Sequence, residues 1–188
     1  MIEKYGGQKI TQLKILRRPV NTVMTKLLSW ISEGVFDQNL KELGYDRAFH
    51  LFIYVLLQNG TALRMEKDQV VRIETTQWNA QGDNVETMPG GSINVTLSEF
   101  LEKGIKKVGE QQYFVYDAIT QNCQAWVRAN LSANGLWNDS ISKFVMQDSK
   151  SIFKNLGLLE KVGKVASDVA HVADVAMNGG RKKKKKKM

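Results

Sequence analysis

The densest run of apolar residues lies near the middle of the chain. Residues 48–58, AFHLFIYVLLQ, are rich in branched and aromatic side chains, a composition that favours a buried β-strand. Asn59-Gly60 follows directly, and this dipeptide is the strongest short signal for a hairpin turn. The more polar residues 62–75 then have the composition of a returning strand. The pattern therefore predicts an antiparallel β-hairpin.

A helical pattern precedes this hairpin. Pro19 suits the first turn of a helix, and Gly34 suits the position just after its end. The apolar residues between them recur at helical spacing: Val20, Val23, Met24, Leu27, Leu28 and Ile31. Residues 1–18 are polar and basic and contain Gly6-Gly7, so we expect a loosely ordered N-terminal segment there.

Three more helices are predicted after the hairpin. They cover residues 96–108, 122–133 and 138–147. Thr96 or Ser98 is the expected cap of the first, because short hydroxyl side chains accept hydrogen bonds from the free N–H groups of a helix start. Asn134-Gly135 is a typical end for the second. Residues 113–116 predict a short strand, and the glycine-rich residues 79–92 predict a loop.

The C-terminal part of the chain carries a narrower apolar pattern. Its apolar residues step by four and three positions: Leu158, Val162, Val165, Val169, Val172 and Ala176. This spacing predicts an amphipathic helix over residues 157–178, whose seam at 158–177 packs on its own domain or on a protein partner. The alternative is a helix that lies in a membrane interface, although it has no aromatic anchor and its charges are mixed.

Together these elements indicate an α+β fold, in which a small antiparallel sheet packs on helices. With 188 residues, the chain is long enough to bury one hydrophobic core. The folded domain is expected to cover residues 19–156. The amphipathic helix follows it, and residues 179–188, which begin with Gly179-Gly180, are expected to form a disordered polylysine tail.

The positive charge of the chain is concentrated in this tail. The formal net charge is +8, and Arg181 with Lys182 to Lys187 supplies seven of these charges, which leaves +1 for the rest. A nearly neutral folded part argues against sequence-specific recognition of nucleic acid. The residues from Arg181 to Lys187 are instead expected to bind nucleic acid without sequence preference, or an anionic membrane.

The sequence also limits the compartment and the cofactors. Cys123 is the one cysteine, so an internal disulfide is excluded and an oxidising compartment is not required. The first ten residues lack the apolar core of a signal peptide, and no run of about 18 apolar residues predicts a membrane span. We therefore expect an intracellular protein. One cysteine and two scattered histidines argue against a metal site, and no cofactor is expected.

Cys123 is the most informative residue for function. It lies in the first turn of the predicted helix at 122–133, where unpaired N–H groups and the helix dipole stabilise a thiolate. The same N–H groups can bind the oxyanion of a tetrahedral intermediate. A thiolate that attacks a carbonyl needs a neighbouring base, and His50 in the predicted strand is the candidate. The alternative is a structural cysteine that fills space in the core.

The hairpin register decides which residue orients His50. With Asn59-Gly60 as a two-residue turn, His50 faces Gln69, whose side chain would hydrogen-bond one imidazole nitrogen. With a turn one residue longer, Glu66 joins the same face but opposes Tyr54, roughly 13 Å along the strand from His50. The geometry therefore favours Gln69 as the orienting residue and leaves Glu66 as the second candidate.

The order of these features resembles a known family. The segment from Asn122 to Val127, Asn-Cys-Gln-Ala-Trp-Val, is similar to the Asn-Cys-(Glu/Gln)-x-(Phe/Trp)-Val pattern that opens the cysteine helix of NlpC-type and lecithin:retinol acyltransferase-like proteins. Phe49-His50-Leu51 matches their histidine near the start of a strand. The resemblance covers roughly residues 45–135. It implies a circularly permuted papain-like fold.

The resemblance also implies an activity. It implies a thiol hydrolase or acyltransferase that acts on a peptide, an amide or a lipid ester. In that family pattern Cys123 is the nucleophile, His50 is the general base and acid, and Gln69 is the orienting residue. The backbone N–H of Cys123 would contribute to the oxyanion hole.

A second resemblance concerns the end of the chain. The small-residue helix, Gly179-Gly180 and the polylysine end are similar to features of proteins from large DNA viruses and their satellites. This likeness implies a location in the host cytoplasm or in the virion. It also implies an alternative function, that of a non-catalytic virion component that keeps the fold and binds partners through its C-terminal helix and tail.

Overall fold

A five-stranded antiparallel sheet, with helices beside it, forms the described part of the chain. The computed structural model describes residues 1–20, 25–26, 28–29, 32–79, 85–117, 120–152 and 154. The strands are β1 (Ile10–Pro19), β2 (Phe49–Leu57), β3 (Ala62–Lys67), β4 (Val71–Thr76) and β5 (Glu86–Gly91). The helices are α1 (Ile2–Tyr5), α2 (Val35–Glu42), α3 (Leu97–Val108), α4 (Glu110–Phe114), α5 (Cys123–Ala133), α6 (Asp139–Val145) and α7 (Ser149–Ile152). The predicted α+β class with a small antiparallel sheet is confirmed.

The sheet has the strand order β4-β3-β2-β1-β5, and every neighbouring pair is antiparallel. Successive side chains of a strand point to opposite faces, so the apolar run of β2 covers both of its faces. The odd-numbered face enters the main core, together with apolar residues of α3 and α5. The members from β2 are Leu51, Ile53, Val55 and Leu57. α5 lies against β2, β3 and α3, which carries its first residue to the sheet.

The predicted helices at 96–108, 122–133 and 138–147 are confirmed as α3, α5 and α6. Thr96, not Ser98, caps α3: its hydroxyl accepts from the Glu99 N–H at 3.2 Å, and the Glu99 carboxylate accepts from the Thr96 N–H at 2.7 Å. This reciprocal pair is a capping box, which satisfies two N–H groups at the helix start. Gly135, just beyond α5, has a φ of 73°, a backbone conformation that glycine adopts without strain.

Two predictions about the N-terminal part are wrong. Residues 1–18 are not loosely ordered, because they contain α1 and most of β1, and β1 lies between β2 and β5. Pro19 ends β1 and does not start a helix. Within the predicted helix that would follow, the described residues Thr25, Lys26, Leu28 and Ser29 are helical. Residues 21–24, 27, 30 and 31 lie outside the described residues.

Three predictions in the middle of the chain are also wrong. The returning strand at 62–75 is two strands, β3 and β4, joined by a turn in which the Asp68 carboxylate accepts from the Val70 N–H at 3.0 Å. The predicted loop at 79–92 contains β5. The predicted strand at 113–116 is wrong because Tyr113 and Phe114 end α4. The buried Tyr113 hydroxyl donates to Asn130 Oδ1 at 2.9 Å, so tertiary packing overrides the β-propensity of this aromatic pair.

The chain divides into two compact units. One comprises Met1–Pro19 and Arg47–Lys150, and the other comprises Val20–Asp46 and Ser151–Met188. The first unit contains the whole sheet. In the second unit, α2 buries Phe36 and Leu40, and the Asn39 side-chain amide donates to the carbonyl oxygens of Ile152 at 2.9 Å and Lys154 at 2.8 Å.

The C-terminal predictions concern residues that the structure does not describe. The amphipathic helix at 157–178 and the polylysine tail at 179–188 both lie outside the described residues. Among the described helices, none combines the length and the apolar character that crossing a membrane requires.

Candidate active site

Cys123 is the first residue of α5, and Asn122 caps this helix. The Asn122 Oδ1 atom accepts from the N–H groups of Gln124 at 3.0 Å and Ala125 at 3.2 Å. The Asn122 side-chain amide donates to Ser149 Oγ at 3.1 Å, which fixes the orientation of the cap. Asparagine is among the best N-cap residues because its short side chain reaches these N–H groups. The cap therefore sets the thiol at the positive end of the helix dipole.

His50 is the second residue of β2, and its ring has a defined orientation. The Nε2 atom lies 2.8 Å from Glu66 Oε2. The ring also packs edge-to-face on Phe52, with the two centroids 4.9 Å apart. These two contacts hold the imidazole plane, and because Nε2 is engaged by Glu66, Nδ1 is the nitrogen that remains for Cys123.

The hairpin between β2 and β3 explains why Glu66 reaches His50. The Leu57 N–H donates to the Thr61 carbonyl and the Gly60 N–H donates to the Leu57 carbonyl, both at 2.9 Å, so the loop contains three residues. Gly60 has a φ of 81°, as the last position of such a loop requires. This loop pairs Phe52 with Glu66. Glu66 therefore lies on the same face of the sheet as His50. It is opposite Phe52, two residues along β2 from His50, so the two side chains can make a diagonal contact.

The register expected from a two-residue turn is therefore wrong, and with it the preference for Gln69 over Glu66. Gln69 lies in the turn after β3 rather than opposite His50. The alternative register, which opposed Glu66 to Tyr54, is also wrong, because Tyr54 pairs with Arg64. Relative to the register of a two-residue turn, the observed register is shifted in the direction opposite to that of the longer-turn alternative. Glu66 therefore lies closer to His50 instead of farther from it.

Glu66 is buried between two cationic groups. One carboxylate oxygen meets His50, and the other accepts from the Arg64 guanidinium. Burial would raise the pKa of Glu66, but the hydrogen bond and charge of His50, together with Arg64, lower this pKa to about 2. Glu66 is thus a carboxylate throughout the physiological range, and it can orient and stabilise an imidazolium.

The thiol and the imidazole form the centre of the site. Burial would lower the pKa of His50, but the charge of Cys123, its hydrogen bond to the ring and the contact with Glu66 raise this pKa to about 9. Burial would raise the pKa of Cys123, but the charge and hydrogen bond of His50, with backbone hydrogen bonds from Leu51 and Gln124, lower it. The shifts favour a thiolate–imidazolium pair. Cys123 is neither fully buried nor fully exposed.

Lys67 adds a second cation close to the thiol. Its side chain is almost fully buried, and Nζ donates to the carbonyl oxygens of Gln112 at 3.1 Å and Val115 at 2.7 Å. Burial lowers the pKa of Lys67 to about 8, and the charge of Cys123 opposes this shift. The ammonium therefore ties the chain at the end of α4 to β3 and contributes positive potential near the sulfur.

Arg64 and Lys67 are the charged neighbours of the site that the sequence pattern did not predict. Arg64 shares the even-numbered face of β3 with Glu66, so the correct register would have indicated it. Lys67 carried a weaker signal, a charged residue that follows Glu66 at the end of β3. In the part of the chain that the structure describes, no cluster of three or more His, Cys, Asp or Glu side chains is placed to hold a metal ion.

Comparisons with known proteins found no relative of this chain. No model of a known protein family, no curated protein sequence and no solved structure matches the chain.

Proposed function

We propose that this protein is a papain-like thiol hydrolase or acyltransferase, in which Cys123 is the nucleophile, His50 is the general base and acid, and Glu66 orients the imidazole. The observation that carries this proposal is the contact of 2.8 Å between His50 Nε2 and Glu66 Oε2, at a ring whose pKa is raised by Cys123 and Glu66. A nucleophile beside a base that is itself oriented by a third group is the arrangement on which thiol hydrolases rely.

The architecture supports the same proposal. His50 and Glu66 lie on adjacent antiparallel strands, β2 and β3. Cys123 opens α5, which packs against both of these strands. A strand histidine, a polar residue on the returning strand and then a cysteine helix is the order of a circularly permuted papain-like fold. This order supports the proposal of that fold for the residues of the first compact unit.

The chemistry follows from the positions of these groups. The Cys123 sulfur forms a bond to the carbonyl carbon of an acyl substrate, and the carbonyl π electrons move onto the oxygen. When this intermediate collapses, the bond to the leaving group breaks, and the His50 imidazolium gives its proton to the leaving nitrogen or oxygen. The acyl group then remains on Cys123 as a thioester.

The second half of the reaction restores the ion pair. Neutral His50 takes a proton from water, or from a second acceptor in an acyl transfer, as that group attacks the thioester carbon. The carbon–sulfur bond then breaks and the sulfur leaves as the thiolate. Glu66 stays ionised throughout because its pKa is lowered to about 2. Its role is to hold the ring and to stabilise the imidazolium.

The backbone N–H of Cys123 is the donor that we propose for the oxyanion. As the first N–H of α5, it has no acceptor within the helix. The Asn122 side chain takes the N–H groups of the next two residues, Gln124 and Ala125. The Cys123 N–H and the helix dipole can therefore act on the negative charge that develops beside the sulfur.

The pH dependence of Cys123 alkylation tests this proposal. An ordinary thiol becomes reactive as the pH rises through about 8.5. In the wild-type protein, the rate of alkylation by iodoacetamide, followed by intact mass, is expected to stay high well below that pH. In His50→Ala, the charge and hydrogen bond of His50 no longer oppose the effect of burial, so the pKa of Cys123 rises and the rate near pH 6 is expected to fall roughly tenfold or more.

Two controls accompany this measurement. Cys123→Ala is expected to show no alkylation of a thiol, because the chain has one cysteine. His171→Ala changes the other histidine and is expected to leave the profile unchanged. A wild-type profile with an ordinary thiol pKa that is insensitive to His50→Ala would contradict the proposal and would favour the non-catalytic virion component.

A further inference from the structure

A groove of about 530 Å³ opens along α5. Its walls come from the end of α3, from α5 and from residues 146–150. Asn122 and Gln124, the two residues that flank Cys123, both line it. This volume lies within the range of ligand pockets, roughly 300–1,000 Å³. The groove therefore includes the two chain neighbours of Cys123, but its lining does not include Cys123 itself.

The wall formed by residues 146–150 is fixed to the start of α5. The Gln124 side-chain carbonyl accepts from the Gln147 N–H at 2.8 Å. The Asn122 side-chain amide donates to Ser149 Oγ at 3.1 Å. All four residues are buried, so both hydrogen bonds are shielded from water. The groove is thus held in shape before a ligand arrives, which reduces the entropy cost of binding.

The charges along this groove have one dominant sign. Lys107, Arg128 and Lys150 are exposed and line it, against one anionic residue, Asp148. Within the described residues, none of the three cations forms an ion pair with a carboxylate. The rest of the lining combines uncharged polar residues with four apolar ones, Val108, Ala125, Ala129 and Met146. A ligand that fits this surface carries negative charges and small apolar groups.

We propose that this groove binds an acidic peptide segment of a partner protein, a binding site that goes beyond the proposed function. Carboxylates of the peptide would meet Lys107, Arg128 and Lys150. Exposed charge pairs of this kind set orientation and association rate, and they weaken as salt is added.

The chemistry of the groove argues against other occupants. The residues from Arg181 to Lys187 are all cationic, so the polylysine end of the chain would be repelled. Single-stranded nucleic acid is held by aromatic side chains on which its bases stack. Among the described residues that line the groove, none is aromatic. An acidic peptide satisfies both the charge and the apolar lining.

Binding of a labelled peptide to full-length Cys123→Ala protein tests the inference without turnover. The probe is a fluorescein-labelled decapeptide with four glutamates, followed by fluorescence anisotropy, and its isosteric control has glutamine at the same positions. The added pair Lys107→Glu and Lys150→Glu is expected to weaken binding of the glutamate peptide roughly tenfold. The glutamine peptide is expected to bind weakly to both proteins.

A charge-matched pair separates the groove from the basic end of the chain. Lys106→Glu and Lys143→Glu change the net charge equally, at exposed positions in the last turns of α3 and α6 that do not line the groove. This pair is expected to change the affinity less than twofold. Equal weakening by both pairs, or none by either, would overturn the inference. So would a labelled oligothymidylate that competes with the peptide and loses affinity through the groove pair alone, because it would assign the groove to nucleic acid.

The outcome is independent of the thiol chemistry. In one outcome, Cys123 is alkylated with an ordinary thiol pKa but peptide binding still depends on the groove. This outcome would contradict the proposed function and support the peptide-binding groove. Fast alkylation of the wild-type thiol at low pH, with no effect of the groove pair on peptide binding, would remove the groove and leave the enzyme.

Discussion

The two faces of β2 differ in what covers them. The odd-numbered side chains Leu51, Ile53, Val55 and Leu57 are each at most 1% exposed and share one core with residues of α3 and α5. The even-numbered face carries His50, Phe52 and Tyr54, and its apolar cluster is small. A single strand thus provides both an apolar core and a titrating site, because alternate side chains leave it in opposite directions.

Cations take the place of a helix on the even-numbered face. The guanidinium groups of Arg18 and Arg64 lie 4.7 Å and 4.9 Å from the centre of the Phe52 ring. Arg18 of β1 also lies directly opposite His50 of β2 in the sheet. Aromatic rings attract cations through their negative faces, and arginine stems cover apolar surface while the charge stays near water. The odd-numbered face should therefore respond to lost volume, and the even-numbered face to lost charge and to pH.

Truncation on the odd-numbered face should give the largest loss of stability. Ile53 is fully buried and lies between Ile15 of β1 and Met65 of β3. Ile53→Ala is expected to lower the free energy of unfolding by about 3 to 4 kcal/mol, from lost burial and the cavity that remains. Urea titration followed by circular dichroism measures this change.

Ile53→Val is the graded control for this change. It removes one methylene group and is expected to cost about 1 kcal/mol. Neither loss should change between pH 5 and pH 9, because both substitutions remove only apolar atoms. A loss below about 1 kcal/mol for Ile53→Ala, or one that follows the pH, would contradict the contrast between the faces.

Glu66→Gln should give the next largest loss, and this loss should depend on pH. Glu66 has a folded pKa of about 2, below its ordinary 4.5, so its stabilisation is present above pH 4.5 and is lost as the pH falls toward 2. His50 has a folded pKa of about 9, above its ordinary 6.5, so its share is present below pH 6.5 and is lost as the pH rises through 9. The destabilisation should reach roughly 2 to 3 kcal/mol between pH 4.5 and pH 6.5.

Urea titrations at several pH values measure this window, with Glu74→Gln as the matched control. Glu74 of β4 lies opposite Arg64 of β3 but is exposed. Glu74→Gln is therefore expected to lower the free energy of unfolding by less than about 1 kcal/mol at every pH. A loss from Glu66→Gln that remains constant from pH 2 to pH 9 would mean that the ion pairs of the site do not contribute to stability.

The contrast between the faces also explains which strands were predictable. β2 is apolar on both faces, and its type and place follow from composition. In β1 the cations Lys14, Arg17 and Arg18, none of them buried, alternate with buried apolar residues, so its sequence has a polar and basic pattern although β1 lies inside the sheet. The reason is that two of these cations lie over aromatic rings of the even-numbered face, a tertiary contact that local patterns do not contain.

The candidate site divides in the same way. Cys123 and His50 could be selected from residue type and local context, because neighbouring residues in the sequence indicate where a helix or a strand starts. The choice between Gln69 and Glu66 required the register, and the register depends on whether Asn59-Gly60 forms a two-residue turn or ends a three-residue loop. One residue of loop length therefore decides which polar group reaches the imidazole.

The smallest effect is expected at Lys14, on the even-numbered face. Its ammonium donates to the Trp78 carbonyl and lies 4.3 Å from the Trp78 ring centre and 5.6 Å from that of Tyr54. Lys14→Met keeps the apolar stem and removes the charge, so urea titration should show a loss of about 0.5 to 1 kcal/mol. Lys106→Met, at an exposed position of α3, should show none. If the two variants were equally stable, apolar contact alone would cover this face, and the contrast with the core face would narrow to the titrating site around His50.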